Sequence, residues 1–228
     1  MATDIFWHGH ANFHITSGDV SLLIDPFFSG NPACATSWNA LPKPKLVLVT
    51  HDHGDHVGDA IQICRETGAL CCCIYDTAMA LVSRGLPEQL LGPGLNLGGS
   101  TELSGVRITM TPAVHTSETG APAGFVVRLP DGFTIYHAGD TALFGDMALI
   151  GQYHAIDLAL LPIGDVFTMT AAQAAHACTL LRPRLAIPMH WGTFPFLAQN
   201  PDSFAAALER LHPATRAVLL RPGESVTL

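Results

Sequence analysis

The sequence predicts a four-layer α/β/β/α sandwich, two mixed sheets packed face to face with helices outside. Apolar, β-branched runs alternate with amphipathic helical runs in both halves of the chain, and each half also carries antiparallel hairpins. The 228 residues are 48% apolar and only 13% charged, enough for a sizeable core. No linker, low-complexity stretch or composition shift divides them, so one domain is expected over 1–228.

The elements follow in order. IFWHG and NFHIT read as strands, and VSLLID as a third after the turn SGD. VLVT at 47–50 is a buried strand, HVGDAIQICRETG an amphipathic helix ended by Gly68, and ALCCCIYD a second buried strand. DTAMALVSRG is a helix closed by Gly85, and the Gly-, Pro- and Leu-rich residues 86–105 read as loop. VRITMTPA is a strand, and GFVVRLPDGFTIYHAG a hairpin turned at Pro130-Asp131-Gly132. LALLPI (strand), TAAQAAHACTLL (helix), RLAIPMH (strand) and PDSFAAALERL (helix) come next, and AVLLRPGESVTL closes with two short strands.

Charge and cysteine usage narrow the function classes. Eleven Lys plus Arg stand against 19 Asp plus Glu, a formal net charge of −8, and no basic tract exists, which argues against a nucleic-acid partner. MATDIFWHGHANFHI lacks the basic-then-apolar pattern of a signal, and no stretch is long enough to cross a bilayer, so no membrane partner and a cytoplasmic location are expected. The six cysteines include consecutive Cys71, Cys72 and Cys73 but no CxxC pair; they read as small apolar core residues of a reducing compartment.

Four apolar strands each run straight into a metal-capable residue: VLVT into His51, ITMTPAV into His115, TIYHAG into Asp140 and LAIPM into His190. Strand ends are rigid and can aim several side chains at one point. His51, His53, Asp55 and His56 form H-x-H-x-D-H, a tight-loop spacing unlike the one-turn spacing of a helical zinc motif. A cation keeps such imidazoles neutral and the carboxylate ionised, which turns repulsion into shared coordination.

THDHGDH resembles the metal-binding motif of the metallo-β-lactamase superfamily, and TPAVHTS, HAGDT and PMHWGT match its later motifs in order. The likeness covers nearly the whole chain. WHGHANFHI, LLIDPFFSGNP, YHAGDT, LPIGDVFTM and IPMHWGTFP are similar to the UPF0173, or UlaG-like, branch of metal-dependent hydrolases, with Trp191 standing where that branch often has tyrosine. The resemblance implies two divalent ions. His51, His53 and His115 would hold the first, Asp55, His56 and His190 the second, and Asp140 would bridge them. The nitrogen-rich donor set suits zinc first, and manganese or iron as well. The implied activity is hydrolysis by a metal-bridging hydroxide that Asp55 orients, with Asp140 also in the catalytic set and activity lost in acid as the histidines protonate. That branch also has a histidine at His10, which would contact substrate or donate a proton; the alternative is a structural histidine bonded to backbone.

The other histidines read as ordinary: His8 and His14 as packing or surface, His137 as a strand-end support for Asp140, and His154, His176 and His212 as surface or helix residues. Asp52 and Asp59 read as solvated loop carboxylates rather than supports for a ligand. Asp25 in IDPF is either a support for the site or a turn-forming Asp-Pro. Phe27, Phe28, Trp38, Phe167, Met169, Trp191, Phe194 and Phe196 fall in loops after strands, where some would line a pocket mouth and others the core. Lysine is confined to Lys43 and Lys45, and arginine is sparse near the motifs, which favours an uncharged or modestly charged small-molecule ester, lactone or amide over a phosphate ester. A phosphodiesterase or sugar-phosphate lactonase is the second reading, and a non-catalytic metal-binding protein the third. A flavin-dependent oxygen or nitric oxide reductase is disfavoured, because relatives with that chemistry carry a carboxylate where His53 stands and an appended flavin domain. The sequence leaves homo-oligomerisation open.

Overall fold

The computed structural model describes residues 2–211 and 214–228, so His212 lies outside the described residues. One sheet contains β1 (Thr3–Trp7), β2 (Phe13–Ser17), β3 (Val20–Ile24), β4 (Leu46–Leu48), β5 (Leu70–Cys72) and β13 (Ser225–Thr227), in the order β13-β1-β2-β3-β4-β5. The second contains β6 (Ser100–Leu103), β7 (Val106–Pro112), β8 (Ala123–Arg128), β9 (Thr134–His137), β10 (Leu158–Pro162), β11 (Leu185–Met189) and β12 (Arg216–Ala217), in the order β12-β11-β10-β9-β8-β7-β6. Both are mixed. β13 through β3 pair antiparallel and β3-β4-β5 parallel; β6 through β9 pair antiparallel and β9 through β12 parallel.

The layering is written in the two-residue period of the strands. Leu22, Ile24, Leu46, Leu48 and Cys72 join the large apolar cluster that includes Ile108, Val127 and Ile135 of the second sheet. Their neighbours Leu23, Val47, Val49, Cys71 and Cys73 point the other way and pack with Val57, Ile63 and Leu81. Those come from α1 (Gly54–Val57), α2 (Ala60–Thr67) and α3 (Tyr75–Ser83). The second sheet is covered by α4 (Met147–Tyr153), α5 (Ala171–Leu181) and α6 (Asp202–Leu211), whose Ala174, Cys178, Leu181 and Phe204 are fully buried. Four layers result, as the alternation of elements predicts. α5 starts with a reciprocal cap in which Thr170 and Gln173 each bond the other's backbone N–H. No helix among the described residues is long and apolar enough to cross a membrane.

Three local readings change. The single helix expected over 56–68 is broken into α1 and α2 at Gly58, whose φ is +44°. A Cβ there would lie 2.6 Å from the Phe27 Cα, so the Asp-Pro-Phe segment packed against it requires the break. Residues 100–103, expected in a loop, form β6 on the sheet edge beside β7. α4 was not anticipated from the sequence.

Candidate metal centre

The strand–ligand junctions converge at one place. His51 follows β4, His115 follows β7, Asp140 follows β9 and His190 follows β11, all beyond the carboxyl ends of their strands. Donor atoms of His51, His53 and His115 lie within 4.8 Å of one another. The same holds for His10, Asp55, His56 and His190, and for His51, His56 and Asp140. One oxygen, Asp140 Oδ2, stands 2.9 Å from His190 Nε2, 3.3 Å from His56 Nε2 and 3.7 Å from His115 Nε2. The seven residues selected by motif are therefore together, with the Asp140 carboxylate between the two groups.

Backbone strain and outer partners fix the aim of these side chains. His10, Asp25 and His190 have φ of +58°, +48° and +60°, a region that non-glycine residues rarely enter. Gly164 lies so close to His190 that a Cβ would stand 2.6 Å from its Nδ1. The Asp25 carboxylate, fully buried, accepts from Thr50 N at 2.8 Å, Thr50 Oγ1 at 2.7 Å and His56 Nδ1 at 2.7 Å. That arrangement turns His56 Nε2 toward Asp140. It also answers the two readings of Asp25: it is a support for the site. Thr50 Oγ1 lies 3.0 Å from His51 Nδ1, leaving Nε2 for the cluster.

His10 is fully buried, with Nε2 3.1 Å from Asp55 Oδ2 and Nδ1 3.1 Å from Thr193 Oγ1. Its ring is bonded to side chains of the site, not to backbone. A carboxylate only accepts, so Nε2 carries the proton and Nδ1 accepts from the Thr193 hydroxyl.

Two loop carboxylates correct the sequence reading. Asp52, though only partly buried, is not a free loop carboxylate: it accepts from Ser117 Oγ, Glu118 N, Thr119 N and Thr119 Oγ1, at 2.8, 2.8, 2.6 and 2.5 Å. It ties the loop carrying His115 to the loop carrying His51 and His53. Asp59 accepts from Phe28 N and Ser29 N at 3.1 and 2.8 Å, anchoring the segment after Asp25. Both partners lie far off in sequence, so no local signal marked either residue; Thr50 and Thr193 were missed for the same reason. His137 ends β9 and accepts from Gly139 N at 3.1 Å, bracing the turn that delivers Asp140. His8 and His14 are buried packing residues, His154 is half-buried and His176 exposed.

Electrostatics separates the histidines. Burial, then the nearby His56, lowers His51 to about 2, and burial with His190 lowers His10 to about 4. Burial also lowers His115. All three are therefore neutral at neutral pH, the form that ligates. His56 is the exception: burial opposes its charge, but Asp140 and Asp25 outweigh that and raise it well above the ordinary value. Burial would likewise raise Asp55 and Asp140. The His10 hydrogen bond and the positive field of His56 outweigh it at Asp55, as His190 and His56 do at Asp140, and both carboxyls are held well below the usual range.

The donor set fits divalent ions. Asp140 Oδ1 is buried without a hydrogen-bond partner, which costs about 1–3 kcal/mol unless a cation engages it, and His56 Nε2 has only the Asp140 carboxylate, 3.3 Å away. Imidazole nitrogens and carboxylates without a thiolate suit zinc, manganese or iron.

The cluster floors a cavity of about 260 Å³ with Phe167, Phe194, Phe196 and Leu197 on one wall and no Lys or Arg in its lining. The sequence reading of the aromatics divides accordingly. Phe27, Phe28, Met169 and Trp191 are buried and Trp38 packs among the helices of the first sheet; Phe167, Phe194 and Phe196 line the cavity. Trp191 packs against Trp7 at a ring distance of 5.1 Å and takes no part in the wall.

Residues 21–191 match the family described as the beta-lactamase superfamily domain. Over its full length the chain is 58% identical to a UPF0173 metal-dependent hydrolase of Nitratidesulfovibrio vulgaris, covering 96% of it. It is 50% identical to one of Lawsonia intracellularis, with both chains fully covered. Among solved structures it is similar to Igni18, a metallo hydrolase from Ignicoccus hospitalis, with 37% identity, a TM-score of 0.91, and coverage of 100% of this chain and 99% of that one.

Proposed function

We propose, from the premise that this chain belongs to the beta-lactamase superfamily as a UPF0173 metal-dependent hydrolase, that it cleaves a small uncharged ester, lactone or amide at a centre of two divalent ions. His51, His53 and His115 would hold one ion and Asp55, His56 and His190 the other, with Asp140 shared; zinc is the first choice. Bound there, such ions supply Lewis acidity and a water acidified to near-neutral pKa.

The protein's own groups do the rest. Asp55 stays ionised under the His10 hydrogen bond, so it can orient the attacking water by accepting a hydrogen bond from it. Neutral His10 holds its proton on Nε2 toward that carboxylate and so positions it, and its ring lines the cavity where it can contact substrate. Thr193 keeps the His10 ring in register. Phe194 meets the His10 ring edge-on at 5.6 Å and stacks on Phe196, which keeps water off that side of the cavity.

The observation that carries the substrate class is the phenylalanine wall without a cation. An anionic phosphodiester finds no guanidinium or ammonium there, whereas an apolar acyl or aryl group finds a surface to bury against. The non-catalytic reading is disfavoured because none of the seven motif positions has been lost.

The test is metal analysis of the purified protein, followed by parallel assays with nitrophenyl esters, lactones, anilides and bis-nitrophenyl phosphate, with Asp140→Ala as control. Turnover of a neutral substrate that Asp140→Ala abolishes is the expected result. Cleavage of the phosphodiester alone, or a folded protein that binds no divalent ion, refutes the proposal.

A further inference from the structure

A second cavity, of about 580 Å³, lies on the face of the second sheet turned away from the first sheet. In β7, β8 and β9, Ile108, Val127 and Ile135 point inward and are fully buried. The alternate positions Arg107, Arg128 and Thr134 sit in one row on the opposite face. Arg107 and Arg128 are direct cross-strand partners, and like charges in that position repel. Arg182, at the end of α5, and Arg184 close the same cavity, as does Tyr153 from the last turn of α4. Four of the chain's nine arginines thus surround one hollow in a protein of net charge −8.

Two acids stand nearby: Glu102 of β6 is the cross-strand partner of Arg107 but makes no ion pair with it, and Asp157 is engaged elsewhere. Asp157 pairs with Arg184 at 3.3 Å and accepts from Thr134 N at 3.0 Å. The guanidinium groups of Arg107, Arg128 and Arg182 have no ion pair or hydrogen bond among the described residues. A helix carboxyl end accounts for a cation at Arg182, but Arg107 and Arg128 stand on strands, where no such dipole acts. His154, at the same rim, is lowered by burial and then by the Arg107 charge.

We infer that this arginine-lined hollow binds a small phosphate-bearing anion, separately from the metal centre. Guanidinium forks match phosphate oxygens in planar, bidentate geometry, and an anion set between Arg107 and Arg128 turns their repulsion into shared binding. The volume is that of a small-ligand site. Tyr153, 77% exposed at the rim, offers a flat apolar surface for the ligand's remaining portion. Arg107 and His115 are at opposite ends of β7, whose span from Arg107 to Pro112 covers roughly 17 Å at the usual rise per residue, so the two sites do not overlap.

Calorimetric titration with inorganic pyrophosphate at physiological salt tests this on the wild type, Arg107→Gln/Arg128→Gln and Asp140→Ala. Saturable binding to wild type and Asp140→Ala is expected, with affinity about tenfold or more weaker in the double variant. Without pyrophosphate the double variant should melt no lower than wild type, because a repulsive pair is gone; with it, only wild type and Asp140→Ala should gain melting temperature. Arg182→Ala, at an exposed helix end, is the second variant and should also weaken binding. Absence of binding to wild type, loss in Asp140→Ala, or undiminished affinity in the arginine variants overturns the inference. So does a dimer that the arginine substitutions abolish in the absence of pyrophosphate binding, which would assign the hollow to an acidic surface of a second copy.

Discussion

Replacing Asp52 by alanine should weaken metal binding although Asp52 itself is no candidate ligand. Its carboxylate collects four hydrogen bonds from residues 117–119, two to four positions beyond His115. They outweigh the burial that would raise its carboxyl and hold it below the ordinary value. Bonds to a charged group are worth about 1.5–3 kcal/mol each when water does not compete. Asp52 is only partly buried and Glu118 is exposed, so water replaces much of this, and a net loss of about 2–3 kcal/mol for the set is the reasonable scale. For a chain of this size that is a fall in melting temperature of roughly 4–12 °C. The loop carrying His115 is then released from the loop carrying His51 and His53, and loss of such an outer partner costs about 10–100-fold in metal affinity. Asp52→Asn keeps one acceptor oxygen and should fall between. The assay is competition for zinc against a chromogenic chelator, with thermal melts of each variant in chelator and in zinc. Zinc affinity in Asp52→Ala equal to that of wild type, or Asn no better than Ala, would show that the bracket does not position His115.

Three further outcomes are expected. Asp25→Asn should destabilise by about 3 kcal/mol or more and weaken zinc binding, because an amide NH₂ would face the buried His56 Nδ1–H or Thr50 donors; asparagine tolerates the +48° φ, so backbone strain is not the cause, and urea melts with zinc titration check it. Gly164→Ala should cost about 1–3 kcal/mol and lower zinc occupancy, since its Cβ would lie 2.5 Å from the His190 carbonyl and 2.6 Å from Nδ1; melts and metal analysis at equal zinc would reveal it. His8 and His14 are buried and lowered to about 4, by burial foremost, so between pH 6.5 and 4 the unfolded chain binds protons that the native state refuses and stability falls as pH falls through that window. The slope is up to about 1.4 kcal/mol per pH unit for each group, and His8→Leu should flatten it by nearly one proton in urea midpoints measured from pH 7 to 4.5.

Much of the framework could be read from single strands. The alternation in VSLLID, LVLV and CCC assigns successive residues to opposite layers, and it does so correctly because a strand's period is a local property. The strand–ligand junctions are equally local: a buried run must end, and its last residue inherits a fixed position and direction. The edge strand at 100–103 was missed because a half-exposed strand in a Gly- and Pro-rich setting has no apolar run to reveal it. The helix over 56–68 was drawn too long because the obstacle at Gly58 comes from Pro26 and Phe27, not from the helix's own sequence.

By itself, then, the sequence singled out the candidate ligand side chains and the order in which the chain presents them, because donor type and strand period are properties of short segments. Only the tertiary structure decided what each of those groups leans on. Asp52 meets Thr119 from 67 residues away, Asp25 meets His56 from 31, and His10 meets Thr193 from 183. The arginines of β7 and β8 become one charged hollow only through strand pairing, beside helix ends from later in the chain. Burial, partner choice and field are sums over neighbours in space, and a linear pattern does not contain that sum until the sheets have packed.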